Sequence, residues 1–170
     1  YRSIWPIGDD AVGIIDQTTL PHSFATRTVI SSDDMITAIK TMAVRGAPLI
    51  GVAGAYGLAL AMRDNPSDEH LAVAYQRLNA ARPTAVNLRW ALDRVHAVLS
   101  PLPAAQRPRA AWLEAAHIAD EDVELNRSIG HHAARLLQTM HASVNRRVQV
   151  LTHCNAGWLA TVDYGTALSG

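Results

Sequence analysis

The stretch that decides the fold is PLIGVAGAYGLALAM, which runs from Pro48 to Met62. It is apolar on nearly every side, so it predicts a helix at the centre of a domain. It is too short to span a bilayer. Pro48 suits the first position of the helix, because an N–H there would have no partner. Glycine recurs at every third position and weakens a helix, so we expect close packing against another backbone at Gly51, Gly54 and Gly57.

Upstream of this helix the sequence predicts a β-hairpin and a short helix. Val12 to Asp16 and Phe24 to Ile30 have the composition of strands, and Thr18 to Pro21 between them is typical of a turn. Ser31, followed by two acidic residues, predicts the start of a helix. Apolar residues then recur at helical spacing from Met35 to Met42.

Downstream, three further helices and a strand–turn–helix unit are predicted. One helix starts at Ser67, the next at Arg82-Pro83, and a long one runs from Ala110 to about Met140. Val148 to Thr152 has the composition of a strand, and a helix is predicted from Trp158 to Leu168. This unit is typical of a doubly wound parallel sheet. Because a lone parallel strand is not stable, we expect its partner strands further along the natural polypeptide.

Composition excludes several classes of protein. Hydrophobic residues make up 49% and charged residues 18%, which is ordinary for a globular domain and argues against disorder. The formal net charge is +0, so no overall charge favours nucleic acid or an anionic membrane. The single cysteine, Cys154, rules out an internal disulfide and fits a reducing cytoplasm. The start of the chain, at Tyr1, does not resemble a signal peptide.

A polar or reactive residue precedes a predicted helix start at three places: Arg45-Gly46-Ala47, Arg82 and Cys154. A helix N-terminus binds anions, and arginine grips phosphate with two hydrogen bonds. Glycine lets a ligand approach the backbone, and a cysteine in such a position tends toward thiolate. The alternative is that the arginines are surface salt-bridge partners and the cysteine a small buried apolar residue.

The sequence predicts no metal site. It contains no HExxH or CxxC pattern, and the adjacent His131 and His132 cannot share one face of a helix. No glycine-rich nucleotide-binding motif is present either. The candidate chemistry therefore depends on the arginines and the cysteine.

Three blocks of sequence carry a family resemblance. They are MAVRGAPLIG from Met42 to Gly51, RPTAVNL from Arg82 to Leu88, and LTHCNAG from Leu151 to Gly157. With these blocks in order, essentially the whole chain resembles the methylthioribose-1-phosphate isomerases. That family is related to the regulatory subunits of translation initiation factor 2B and to ribose-1,5-bisphosphate isomerases. The resemblance implies an α/β fold overall: a mainly α N-terminal domain with a small β-hairpin over residues 1–145, and the first strand and helix of a Rossmann-like domain over residues 146–170.

The resemblance also implies a function. It predicts a cytoplasmic aldose–ketose isomerase of methionine salvage, a homodimer without metal or cofactor, that converts 5-methylthioribose 1-phosphate to 5-methylthioribulose 1-phosphate. Arg45, Gly46, Ala47 and Arg82 are expected to bind the sugar phosphate, and Cys154 to be the catalytic thiol. The family's proton-donating aspartate is expected beyond this chain, in the rest of the C-terminal domain, so the chain alone is expected to be inactive.

Some alternatives stay open at this point. Hydrogen transfer can use Cys154 as a base or pass as hydride in a site shielded from water. Trp158 and Asp163 depart from the family pattern, which leaves open a preference for 5-deoxyribose 1-phosphate over methylthio sugars. The alternative functions are a ribose-1,5-bisphosphate isomerase and a non-catalytic regulatory subunit, although such subunits generally lack the intact cysteine and arginine blocks.

Overall fold

The computed structural model describes residues 1–144 and 146–170. Three strands are followed by five α-helices, with short 3₁₀ turns at three places. The strands are β1 (Ile4–Ile7), β2 (Ala11–Ile15) and β3 (Thr26–Val29); the helices are α1 (Ser32–Lys40), α2 (Ala47–Asp64), α3 (Asp68–Asn79), α4 (Val86–Leu99) and α5 (Arg107–Val144); the 3₁₀ turns are Ala104–Gln106, Trp158–Ala160 and Thr166–Leu168.

The three strands form an antiparallel sheet with β2 in the centre. The hairpin of β2 and β3 confirms the prediction, with Val12 opposite Val29. The additional strand, β1, pairs with β2 through Ile4 opposite Ile14. It was not predicted because it has only four residues and contains Pro6, which is tolerated only on an edge strand.

Helix α2 lies at the centre of the molecule, as predicted. Every residue from Leu49 to Met62 is buried. A Cβ at Gly51 would lie 2.9 Å from the carbonyl oxygen of Asn87, so α4 can approach only because that residue is glycine. Gly54 and Gly57 are likewise covered by leucine side chains from α4 and α3. Close packing against another backbone is therefore confirmed at Gly51, whereas Gly54 and Gly57 pack against side chains.

The starts of α1 and α3 follow the predicted signals, whereas the start of α4 does not. The side-chain oxygens of Ser31 and Ser67 accept hydrogen bonds from backbone N–H groups of α1 and α3, as N-cap residues do. The predicted start of α4 at Pro83 is wrong, because the helix begins at Val86. Residues 82–85 instead form a tight turn in which the N–H of Ala85 donates to the carbonyl of Arg82 at 3.0 Å. Proline favours the second position of such a turn.

The predicted strand–turn–helix unit is also wrong. Val148 to Thr152 carries no strand, and two separate 3₁₀ turns occupy the predicted helix from Trp158 to Leu168. A parallel strand needs hydrogen-bonded neighbours, and the described residues offer no second strand there. Gly157 and Gly165, both at positive φ, divide the following segment into short turns. The predicted domain boundary at residue 145 falls on Asn145, which lies outside the described residues.

No helix in the described ranges is long and apolar enough to cross a membrane.

Candidate active site

The loop of Arg45, Gly46 and Ala47 leads directly into α2. Gly46 is the N-cap residue, with φ of 103°, a conformation that favours glycine. A Cβ on Gly46 would lie 2.5 Å from the carbonyl oxygen of Ala160. The loop is therefore packed against the 3₁₀ turn Trp158–Ala160, which follows the cysteine block. Arg45 and Ala47 are exposed beside this contact.

Arg82 lies at the same end of the molecule. It is half-buried in the tight turn before α4. The contact of Gly51 with the backbone of Asn87 places the N-terminal turns of α2 and α4 side by side. In the described part of the chain neither Arg45 nor Arg82 forms an ion pair with a carboxylate. The alternative that these arginines are surface salt-bridge partners is therefore wrong for the described residues. Within that part of the chain, neither guanidinium group is neutralised by a carboxylate.

Cys154 is an exposed free thiol with φ of 90°. The alternative of a buried apolar cysteine is thus wrong. The predicted reason for a thiolate, a helix starting just after the cysteine, is wrong as well, because only the 3₁₀ turn Trp158–Ala160 follows. Cys154 lies six residues before Ala160, the residue that contacts Gly46.

Gln17 connects the two blocks and was not singled out from the sequence as a functional residue. It is 2% exposed at the end of β2. Its side-chain N–H₂ donates to the carbonyl of Leu159 at 2.7 Å, and its side-chain oxygen accepts from Nε of Arg45 at 3.3 Å. Its backbone N–H donates to the carbonyl of Ala43 at 3.0 Å. These bonds join the segment after β2, the loop before α2 and the 3₁₀ turn Trp158–Ala160, and they become visible only in the folded structure.

Two polar residues of α5 hold the segment after the cysteine block. The carboxylate of Asp122 accepts from the N–H of Val162 at 2.7 Å, and the side-chain oxygen of Asn126 accepts from the N–H of Thr166 at 2.7 Å. Asn126 also donates to the carbonyl of Asp122 at 2.8 Å. At i and i+4 the two residues share one face of the helix. Neither was identified from the sequence.

A cavity of about 510 Å³ opens beside this end of the molecule. It lies between the first turns of α2 and α4 and the middle of α5, and its walls are mainly apolar. No three or more of the described His, Cys, Asp and Glu residues are grouped so that they could hold a metal ion. The cavity is lined by Pro48, Gly51, Val52, Val86, Asn87, Trp90, Ile118, Glu121, Asp122, Leu125, Asn126, Ile129 and Thr166.

Asp122 gives this region a predictable response to pH. Burial raises the pKa of its carboxyl above the ordinary value of 3.8. The folded state therefore binds this proton more tightly than the unfolded state, so this group's contribution to stability falls as pH rises from about 3.8 through the raised pKa. The test measures the free energy of unfolding of the wild type and of Asp122→Asn by urea titration at a series of pH values. We expect the difference, wild type minus variant, to decrease as pH rises over that range.

The matched control is Asp9→Asn, an exposed carboxylate on the β1–β2 turn. It corrects for the general effect of removing one negative charge from the chain. A wild type that gains stability over Asp122→Asn as pH rises would contradict the burial argument.

Known proteins resemble this chain along nearly its whole length. A sequence profile described as "Initiation factor 2 subunit family" matches residues 43–166. The methylthioribose-1-phosphate isomerase of Methylorubrum populi is 56% identical over 99% of this chain, and that of Rhodospirillum centenum is 57% identical over 98%. The matches cover 47% and 45% of those relatives, so the chain spans about half their length.

Two crystal structures share the fold. The 5-methylthioribose 1-phosphate isomerase of Pyrococcus horikoshii matches 99% of this chain with a TM-score of 0.82 and 39% identity, over 47% of its own length. Subunit delta of the translation initiation factor eIF-2B from A. fulgidus matches 98% with a TM-score of 0.81 and 40% identity, over 48% of its length. The resemblance inferred from the three sequence blocks is confirmed.

Proposed function

Since this chain belongs to the initiation factor 2 subunit family, we propose that the protein containing it is an aldose–ketose isomerase acting on 5-methylthioribose 1-phosphate. The product is 5-methylthioribulose 1-phosphate, an intermediate of methionine salvage. The observation that supports the proposal is the contact of Gly46 with Ala160, which packs the arginine block against the segment that follows the cysteine block. The names of the close relatives supply the substrate.

The phosphate site consists of Arg45, Gly46, Ala47 and Arg82. The start of α2 presents backbone N–H groups and the positive end of the helix dipole, both of which favour an anion. The two guanidinium groups add charge and paired donors. They come from neighbouring helix starts, so one anion at this end of the molecule can be approached from two sides.

Cys154 supplies the reactive group. The ring of the sugar must open first, with a proton delivered to its oxygen by a general acid. Along the proton route, the thiolate removes the hydrogen of C2 as a proton, an enediol phosphate forms, and the proton returns to C1 while the C2 hydroxyl gives its proton back to the acid that opened the ring. Along the hydride route, the hydrogen passes from C2 to C1 with its electron pair while Cys154 contributes to the polarity of the site. Both routes end at the ketose without a net change of oxidation state.

The division into domains belongs to the same proposal. Residues 1–145 form the N-terminal domain, and residues 146–170 begin a Rossmann-like domain whose other strands, with the acidic proton donor, lie elsewhere in the full-length polypeptide. The half-length match to the relatives supports this division. Val148 to Thr152 then becomes a strand when neighbours supply its hydrogen bonds. The active protein is proposed to be a cytoplasmic homodimer.

The test uses the full-length polypeptide that contains this chain. Methylthioribose 1-phosphate and ribose 1,5-bisphosphate are supplied in parallel, and ketose formation is followed by NMR. We expect rapid conversion of the first and at least about a hundredfold slower conversion of the second, because none of the residues that line the cavity carries a positive charge for a second phosphate. Preference for the bisphosphate would reassign the substrate. A folded protein that turns over neither would favour a regulatory subunit, like the structurally similar eIF-2B protein.

A further inference from the structure

We propose that Gln17 is a positioning residue that fixes the guanidinium group of Arg45 relative to the cysteine block. The inference rests on the proposed function insofar as Arg45 binds the phosphate of the substrate. Gln17 itself makes no contact with the substrate. It acts by setting where the phosphate is held relative to Cys154.

The hydrogen bonds of Gln17 are distributed over both halves of the site. Its amide N–H₂ donates to the carbonyl of Leu159, five residues after Cys154, at 2.7 Å. Its amide oxygen accepts from Nε of Arg45 at 3.3 Å. Gln17 is 2% exposed, so the packing around it holds its amide group in place. One rigid amide group therefore relates the arginine to the cysteine block.

The bond to Nε also determines how Arg45 can bind an anion. A guanidinium group presents two paired edges, Nε with one Nη and the two Nη atoms together. Because Nε is engaged by Gln17, the pair of Nη atoms remains for the phosphate. Arg45 is otherwise exposed, and a free arginine side chain loses much rotamer entropy when it binds. Gln17 reduces that loss by holding the group before the ligand arrives.

The backbone reinforces the same geometry. The N–H of Gln17 donates to the carbonyl of Ala43 at 3.0 Å, two residues before Arg45. Gly46, the next residue along, lies against Ala160. The strand end, the loop and the 3₁₀ turn are thus joined on both sides of Arg45, and the side chain of Gln17 is the link that reaches its charged group.

The test measures binding of inorganic phosphate to the full-length polypeptide by calorimetry, which does not depend on turnover. Gln17→Met keeps the length of the side chain and removes both hydrogen bonds. We expect phosphate affinity to fall about tenfold in the wild-type background. In an Arg45→Lys background, which keeps the positive charge but has no Nε to be held, the same change is expected to alter affinity less than about twofold.

Two further variants separate positioning from general destabilisation. Ser3→Ala removes a buried hydrogen bond to the carbonyl of Thr161, in the same segment, without touching Arg45. It is expected to lower the melting temperature and leave phosphate affinity unchanged. Gln17→Asn keeps the amide group, but its shorter side chain cannot reach both partners. We expect its phosphate affinity to fall as that of Gln17→Met does. It replaces Gln17→Met in the test if the methionine variant does not fold.

The outcomes are distinguishable. Unchanged affinity in a folded Gln17 variant, or an equal loss in both arginine backgrounds, would overturn the positioning role. A wild type that does not bind phosphate would overturn it too. A protein that binds phosphate with this dependence on Gln17 but does not isomerise methylthioribose 1-phosphate would leave the positioning role standing and reject the proposed reaction.

Discussion

Replacing Cys154 with serine in the full-length polypeptide is expected to lower turnover of methylthioribose 1-phosphate by about 10³-fold. A thiol ionises within reach of neutral pH and a serine hydroxyl does not, so the variant loses the base of the proton route. The side chain of Cys154 is exposed in this chain. The melting temperature is therefore expected to stay the same, and the loss should appear in kcat with little change in KM.

The matched control is Thr152→Ser, an exposed residue of the same block. It is expected to keep nearly full activity. A Cys154→Ser enzyme that retains more than about a tenth of wild-type turnover would reject proton transfer to the thiol. That result would favour the hydride route, in which the cysteine contributes only polarity.

Gly46→Ala is expected to destabilise the protein by about 3 kcal/mol and to abolish phosphate binding. The positive φ of 103° is strained for alanine. The new Cβ would also meet the backbone of Ala160 at 2.5 Å, where no flexible side chain can give way. The loop and the 3₁₀ turn must therefore separate. Urea unfolding of the full-length polypeptide measures the first effect, and phosphate calorimetry the second.

Gly8→Ala separates backbone strain from the loss of the contact. Gly8 also has positive φ, at 59°, but an added Cβ would meet nothing within 4 Å. Its replacement is expected to cost about 1 kcal/mol and to leave phosphate binding intact. If both substitutions lowered the free energy of unfolding equally, the contact of Gly46 with Ala160 would contribute nothing to stability.

Features that depend on short stretches of chain could be predicted from the sequence. The burial of α2 follows from its own composition, and Ser31 and Ser67 cap their helices through bonds to residues three positions away. The start of α4 was misplaced because proline suits both a first helical turn and a tight turn. Composition alone does not decide between these two.

Features that depend on distant partners could not be predicted in the same way. The composition of Val148 to Thr152 favours a strand, but a strand exists only where a neighbour completes its hydrogen bonds. Gln17, Asp122 and Asn126 are ordinary polar residues in sequence, and their importance appears only when residues 159–166 lie beside them. The arginine and cysteine blocks were recognisable because each is a contiguous motif. Their roles in the reaction remain predictions.

The hydrogen bond from the backbone N–H of Ser3 to the carbonyl of Val162, at 2.9 Å, joins the two ends of the chain. During synthesis the first strand leaves the ribosome long before the segment that completes its surroundings. Helices α1 to α4 can form from local contacts while the chain grows, whereas this closure must wait until residue 162 has been made. The contacts of Gly46 with Ala160 and of Gln17 with Leu159 therefore form after the helical core, and a nascent chain interrupted before residue 159 would lack both of them.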